Sequence, residues 1–86
     1  MIEFLTRPDC SVCDDGWSTV SRWSRILRLD VDQRDITDDP SAAGYVERIP
    51  VVLVDGRPVL EGRWTSWDAA RALWRARRRT KRDIEA

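Results

Sequence analysis

Cys10-Ser11-Val12-Cys13 contains both cysteines of the chain. A thiol attacks a disulfide only as its thiolate, and a helix N-terminus can lower a cysteine's pKa from about 8.5 into the range of roughly 3.5–7.5. The pair stands between an apolar run, Ile2 to Leu5, and a stretch with helical spacing, which places it where a strand turns into a helix. Cys10 would then attack a disulfide. Cys13, about one helical turn further on, would attack the resulting mixed disulfide and release the reduced product. The plainer alternative is a pair of buried thiols packed as small apolar groups. A closed zinc site would need four ligands, hence two chains or carboxylates here, because the chain has no histidine.

The absence of histidine also removes the usual general base and excludes Cys-His and Ser-His-Asp mechanisms. Eighty-six residues fit one small domain spanning residues 1–86. A 42% hydrophobic content with five tryptophans argues against disorder. Fifteen basic and fifteen acidic residues cancel, so overall charge gives no general attraction to nucleic acid or to an anionic membrane. No stretch approaches about 18 apolar residues, and the first residues lack the pattern of a secretion signal. The expected location is the cytoplasm. There, two cysteines too close together to gain much from loop closure are better explained by reversible redox chemistry or metal binding.

The elements that would position the pair can be read in turn. Ile2 to Thr6 reads as a buried strand, ended at Arg7-Pro8-Asp9 with Asp9 as helix cap. A helix follows to about Leu27 or Leu29, with Cys13, Trp17, Val20, Ser24 and Leu27 on one face and Trp23 beside them. Gly16 in that helix would allow close packing or access to the cysteines. Leu29 to Ile36 gives a second, more exposed strand. Asp39-Pro40 then starts a short helix to about Glu47, interrupted or ended near Gly44. Val51 to Val54 is a strand buried on both faces, and Asp55-Gly56 turns it into a return strand, Pro58 to Glu61. Thr65 or Ser66 caps a last helix whose apolar side is Trp67, Ala70, Leu73, Trp74 and Ala76 and whose basic end covers about residues 75–86. Trp17, Trp23, Trp67 and Trp74 are expected as packing residues, and Trp64 as an aromatic at the cleft edge. Asp9, Asp14 and Asp15 are helix-start residues that would also repel a Cys10 thiolate. The order β-α-β-α-β-β-α makes an α/β fold, a mixed four-stranded sheet flanked by helices.

This order, with Arg7-Pro8-Asp9-Cys10-Ser11-Val12-Cys13, Arg48-Ile49-Pro50-Val51-Val52 and Val54-Asp55-Gly56-Arg57, resembles the glutaredoxin branch of the thioredoxin-like superfamily over nearly the whole chain. The resemblance implies a thioredoxin-like fold in which Pro50 is a cis-proline facing Cys10 and the backbone at Ile49 pairs with the substrate's cysteine segment. Arg7 matches the basic residue that glutaredoxins place before the first cysteine, where it would meet glutathione's carboxylate. Ser11-Val12 replaces the usual Pro-Tyr. Glu61-Gly62-Arg63-Trp64 stands where glutaredoxins carry a double glycine and an aspartate. An iron–sulfur cluster bridging two subunits has precedent in the family.

The expected function is that of a thiol-disulfide oxidoreductase. Cys10 and Cys13 are catalytic, Arg7, Ile49, Pro50 and Trp64 contact the substrate, and no metal or bound cofactor takes part. The substrate is a disulfide-bearing protein or small molecule, and the electron source is glutathione or thioredoxin reductase. The expected state is a monomer, without nucleic acid or membrane as partner. The alternatives are an electron donor to ribonucleotide reductase recycled by thioredoxin reductase, similar to the small redoxins that also carry a tryptophan after the last strand, or a binding module whose cysteines sense redox state.

Overall fold

The computed structural model describes the backbone of residues 1–85 and the side chains of residues 1–78. Strand β1 (Ile2–Thr6) leads into helix α1 (Ser11–Leu27), then β2 (Val31–Asp35), a 3₁₀ helix (Pro40–Tyr45), β3 (Val51–Val54), β4 (Arg57–Glu61) and helix α2 (Ser66–Glu85). The sheet order is β2-β1-β3-β4. β1 and β2 run parallel, and the β1–β3 and β3–β4 pairs are antiparallel. β1 and β3 are thus the inner strands. All four residues of β3 are buried, which explains why its sequence is a continuous apolar run.

Side chains alternate across the sheet and feed two cores. On one face Ile2, Phe4, Val52, Val54 and Leu60 pack with Val20 and Leu27 of α1 and Ala69, Leu73 and Ala76 of α2. On the other, Leu5, Val51 and Leu53 meet Ile36 and Ala42. α1 and α2 therefore cover one face together, and the 3₁₀ helix closes the opposite one. That segment is tighter and shorter than the helix expected to about Glu47. Asp39 caps it by accepting the Ser41 N–H at 2.9 Å, Pro40 supplies no N–H, and Gly44 opposes propagation into an α-helix.

The hairpin between β3 and β4 is as expected, with Asp55 at φ 52° and Gly56 at φ 83°, both positive as a two-residue primed turn requires. The apolar side of α2 differs from expectation. The stripe facing the sheet is Ala69, Leu73 and Ala76, whereas Trp67 and Trp74 are 76% and 48% exposed. The alanines let the helix approach closely, and both tryptophans fall on its flank, where they line a shallow groove with Trp23 and Leu27 of α1. Of the basic end expected at about residues 75–86, the side chains of residues 79–86 lie outside the described residues. No described helix is long and apolar enough to cross a membrane.

α2 starts with a reciprocal cap. Asp68 N–H donates to Thr65 Oγ1 at 3.1 Å, and Thr65 N–H donates to Asp68 Oδ2 at 3.0 Å. The backbone N–H and then the hydroxyl of Thr65 hold the Asp68 carboxyl below its ordinary value of 3.8. A depressed carboxyl stabilises the fold above its unfolded-state pKa and loses that contribution as pH falls through its folded-state pKa. Thr65→Ala is expected to cost about 1 kcal/mol in urea unfolding at neutral pH. The deficit relative to the unmodified chain should shrink as pH falls below 3.8, where the unfolded chain's carboxyl takes up its proton first, and vanish once the folded chain's carboxyl is protonated too.

Candidate active site

Cys10 is the N-cap of α1, with extended torsions (φ −117°, ψ 102°), and its Sγ accepts the Cys13 N–H at 3.1 Å. The sulfur thus occupies the place that a serine or aspartate oxygen takes in an ordinary cap. Asp9, expected to cap this helix, does not do so. It is exposed and adopts a left-handed conformation at φ 57°, turning the chain so that the following residue enters the cap position. Cys10 and Cys13 are joined by a disulfide, with their Cα atoms 5.2 Å apart. Their environments differ: Cys10 is partly exposed, while Cys13 is 1% exposed. In the reduced state the helix N-terminal amides and dipole would favour a thiolate on Cys10, the sulfur an outside disulfide can reach.

The Ile49–Pro50 peptide bond is cis, and Pro50 is fully buried. The Gly62 N–H is shared between the carbonyls of Arg48 at 3.0 Å and Pro50 at 2.8 Å, which fastens this loop to the end of β4. The N–H and C=O of Ile49, between those two residues, lie outside these bonds, and the Ile49 side chain packs against the smaller core. Pro50 reaches α1 at Gly16, one turn after Cys13. A Cβ on Gly16 would lie 2.8 Å from Trp64 Cζ2 and 3.2 Å from Pro50 Cγ, so any side chain here would displace one of them. The reading of Gly16 as a point of close packing therefore holds.

Trp64 is partly buried and tied inward. Its Nε1–H donates to Thr19 Oγ1 at 2.9 Å, the Thr19 hydroxyl donates to the Gly16 carbonyl at 2.9 Å, and the ring meets Phe4 edge-on at 6.3 Å. Thr19 is a site residue that the sequence reading missed. Its only signal is a hydroxyl one turn beyond Gly16 on the face that α1 turns toward the last loop. Val12, Asp15, Gly16, Thr19, Arg63 and Trp64 line a groove of about 200 Å³ beside the cysteines.

The structure thus brings Pro50 and Trp64 together against Gly16 in the helix that carries Cys13, with Ile49 alongside. Arg7 lies on the β1–α1 loop, is exposed, and is not among the residues that line the groove. It adds a weak attraction to Asp35 of β2, whose carboxyl is held below its ordinary value first by the Thr37 hydroxyl and then by the Thr37 N–H. Among the described residues no group of three or more His, Cys, Asp or Glu could hold a metal ion.

A cysteine pair at the start of the first helix and a cis-proline ahead of an inner strand define a thioredoxin-fold protein with a redox cysteine pair. Thioredoxin 1 from the thermophilic eubacterium Thermosipho africanus TCF52B shares the fold, with a TM-score of 0.66 at 19% identity over 93% of this chain and 97% of that one. The family model described as Glutaredoxin-like domain (DUF836) matches residues 1–76, and the chain belongs to that family. No curated protein matches it.

Proposed function

We propose that the chain is a dithiol oxidoreductase that reduces disulfides with Cys10 as nucleophile and Cys13 as resolving thiol. The carrying observation is the contrast between the two sulfurs, one partly exposed and capping a helix, the other buried directly behind it. The Cys10 thiolate attacks one sulfur of the substrate disulfide, forming a Cys10–substrate bond and expelling the other sulfur as a thiolate. Cys13 then gives up its proton and attacks Cys10 Sγ, expelling the second substrate thiolate. Both expelled thiolates take up protons. The substrate gains two electrons and the chain leaves as the Cys10–Cys13 disulfide.

The main chain of Ile49, which the Gly62 bonds leave out, would align the substrate's cysteine segment, Pro50 would fix its turn, and Trp64 would wall the cleft. Arg7 would attract an anionic group at the mouth. The returning electrons would come from glutathione or thioredoxin reductase, in the cytoplasm, with the chain acting as a monomer. NADPH oxidation on a disulfide substrate, coupled either through glutathione and glutathione reductase or through thioredoxin reductase alone, tests the reading. Turnover with either system supports it and names the electron source. Silence with both would overturn it in favour of a binding module.

The acidic residues at the helix start would set the rate of the first attack. Asp14 is in the first turn of α1 and both it and Asp15 are exposed, so their charges oppose a thiolate on the cap sulfur. Replacing both with Asn is expected to raise the alkylation rate of reduced Cys10 at neutral pH about threefold. An unchanged rate would remove them from the mechanism.

A further inference from the structure

The net charge of zero hides a division between the two edges of the sheet. Beside the β2 edge, residues 30–39 hold Asp30, Asp32, Asp35, Asp38 and Asp39 against Arg34 alone. At the opposite edge, β4 and α2 enclose a groove of about 660 Å³ bordered by Arg57, Arg63, Arg71 and Arg75. All four are exposed, and among the described residues none is in an ion pair. The two carboxylates of the groove are engaged elsewhere. Glu61 lies 3.7 Å from Arg48, and Asp68 holds the cap with Thr65. Arg71 attracts Asp68 weakly without forming an ion pair with it.

The groove has an apolar wall of Val59, Leu60 and Trp64, with Val59 43% exposed. Val59 is the extra residue of a bulge between the Leu60–Val52 and Pro58–Leu53 pairs, and Pro58 has no N–H to offer. Both features disfavour addition of a further strand, so an occupant would be held by arginine side chains and apolar contact. Arg63 and Trp64 also line the smaller groove along Val12 to Thr19, so the two grooves share a border.

Resting on the disulfide-reducing reading for the identity of the partner, we infer that the β4–α2 groove receives an acidic segment flanking the partner protein's reactive cysteine. The acidic β2 edge repels such a segment, the basic edge attracts it, and the shared Arg63–Trp64 border leads from the groove to the Val12–Gly16 stretch of the helix that carries Cys13. The groove therefore selects among disulfide proteins by the charge beside their cysteines, and it orients them before the thiol attack.

Two fluorescently labelled peptides of equal length, identical except that aspartates and glutamates or lysines flank a central serine in place of cysteine, test this without redox chemistry. Their binding is measured by anisotropy on the full chain carrying Cys10→Ser and Cys13→Ser. The acidic peptide is expected to bind about tenfold more tightly at low salt, and the preference should collapse at about 0.5 M salt. Arg71→Glu with Arg75→Glu should remove or invert the preference. These helix-surface changes should leave reduction of a small uncharged disulfide by the otherwise unmodified chain untouched. Equal affinities would overturn the inference whatever that turnover shows. So would a preference that survives the reversal, displacement by inorganic phosphate alone with no peptide preference, or self-association of the chain through the same arginines. Failure to reduce the small disulfide would instead count against the enzyme reading.

Discussion

Cys10→Ser is expected to lower disulfide reduction by on the order of a thousandfold or more, to the background of the uncatalysed exchange. Cys13→Ser should fail differently. Cys13 is 1% exposed, so in the proposed mechanism external disulfides would not reach it and it would act only once Cys10 carries the substrate. With serine at that position the first attack still occurs and the complex stops as a Cys10–substrate mixed disulfide. Turnover and non-reducing mass analysis of the two variants separate these outcomes. Equal trapping by both, or trapping through Cys13 in the Cys10→Ser chain, would reverse the assigned order.

Phe4→Ala is expected to cost about 3–5 kcal/mol, a large share of the roughly 5–15 kcal/mol that stabilises a small domain. Phe4 is fully buried at the centre of the larger core, on an inner strand, with Trp17 at a ring-centroid distance of 5.2 Å and 60° and Trp64 at 6.3 Å and 86°. Its removal leaves a cavity and two edge-on aromatic contacts unmade, the latter worth about 0.5–1.5 kcal/mol each beyond area burial. Since Trp64 rests on Gly16 of the helix that carries Cys13, the proposed function implies that loss of Phe4 should also reduce turnover at temperatures where the chain is still folded. Denaturant unfolding followed by tryptophan fluorescence measures the stability. A loss below about 1 kcal/mol would mean that the site closes over the gap, and that Phe4 does not organise this core.

Much of this arrangement was legible because local chemistry and fold agreed. The apolar run of β3, the Asp55-Gly56 turn and the Asp39-Pro40 start each have one good conformational solution, and the structure adopts it. The cysteine pair could be placed at a strand-to-helix junction from periodicity alone. The identity of the cap could not, because Asp9 and Cys10 are adjacent and only the left-handed turn at Asp9 decides which of them meets the helix amides. The tryptophans of α2 were misread for a related reason. Helical spacing reports which residues share a face, and bulk suggests the core, but small alanines carry the close packing here and leave Trp67 and Trp74 outside. The Trp64–Thr19 bond joins residues 45 apart in sequence, a pairing that no local pattern encodes.

The most direct measurement of the central claim is a single turnover. The reduced chain, freed of reductant, is mixed with an excess of a disulfide-bonded peptide, quenched in acid at intervals and weighed intact. The expected result is a transient adduct carried by Cys10, followed by a chain lighter by two hydrogen atoms and one equivalent of peptide with both thiols free. A peptide that stays oxidised while the chain keeps its two thiols, or an adduct mapped to Cys13, would contradict it.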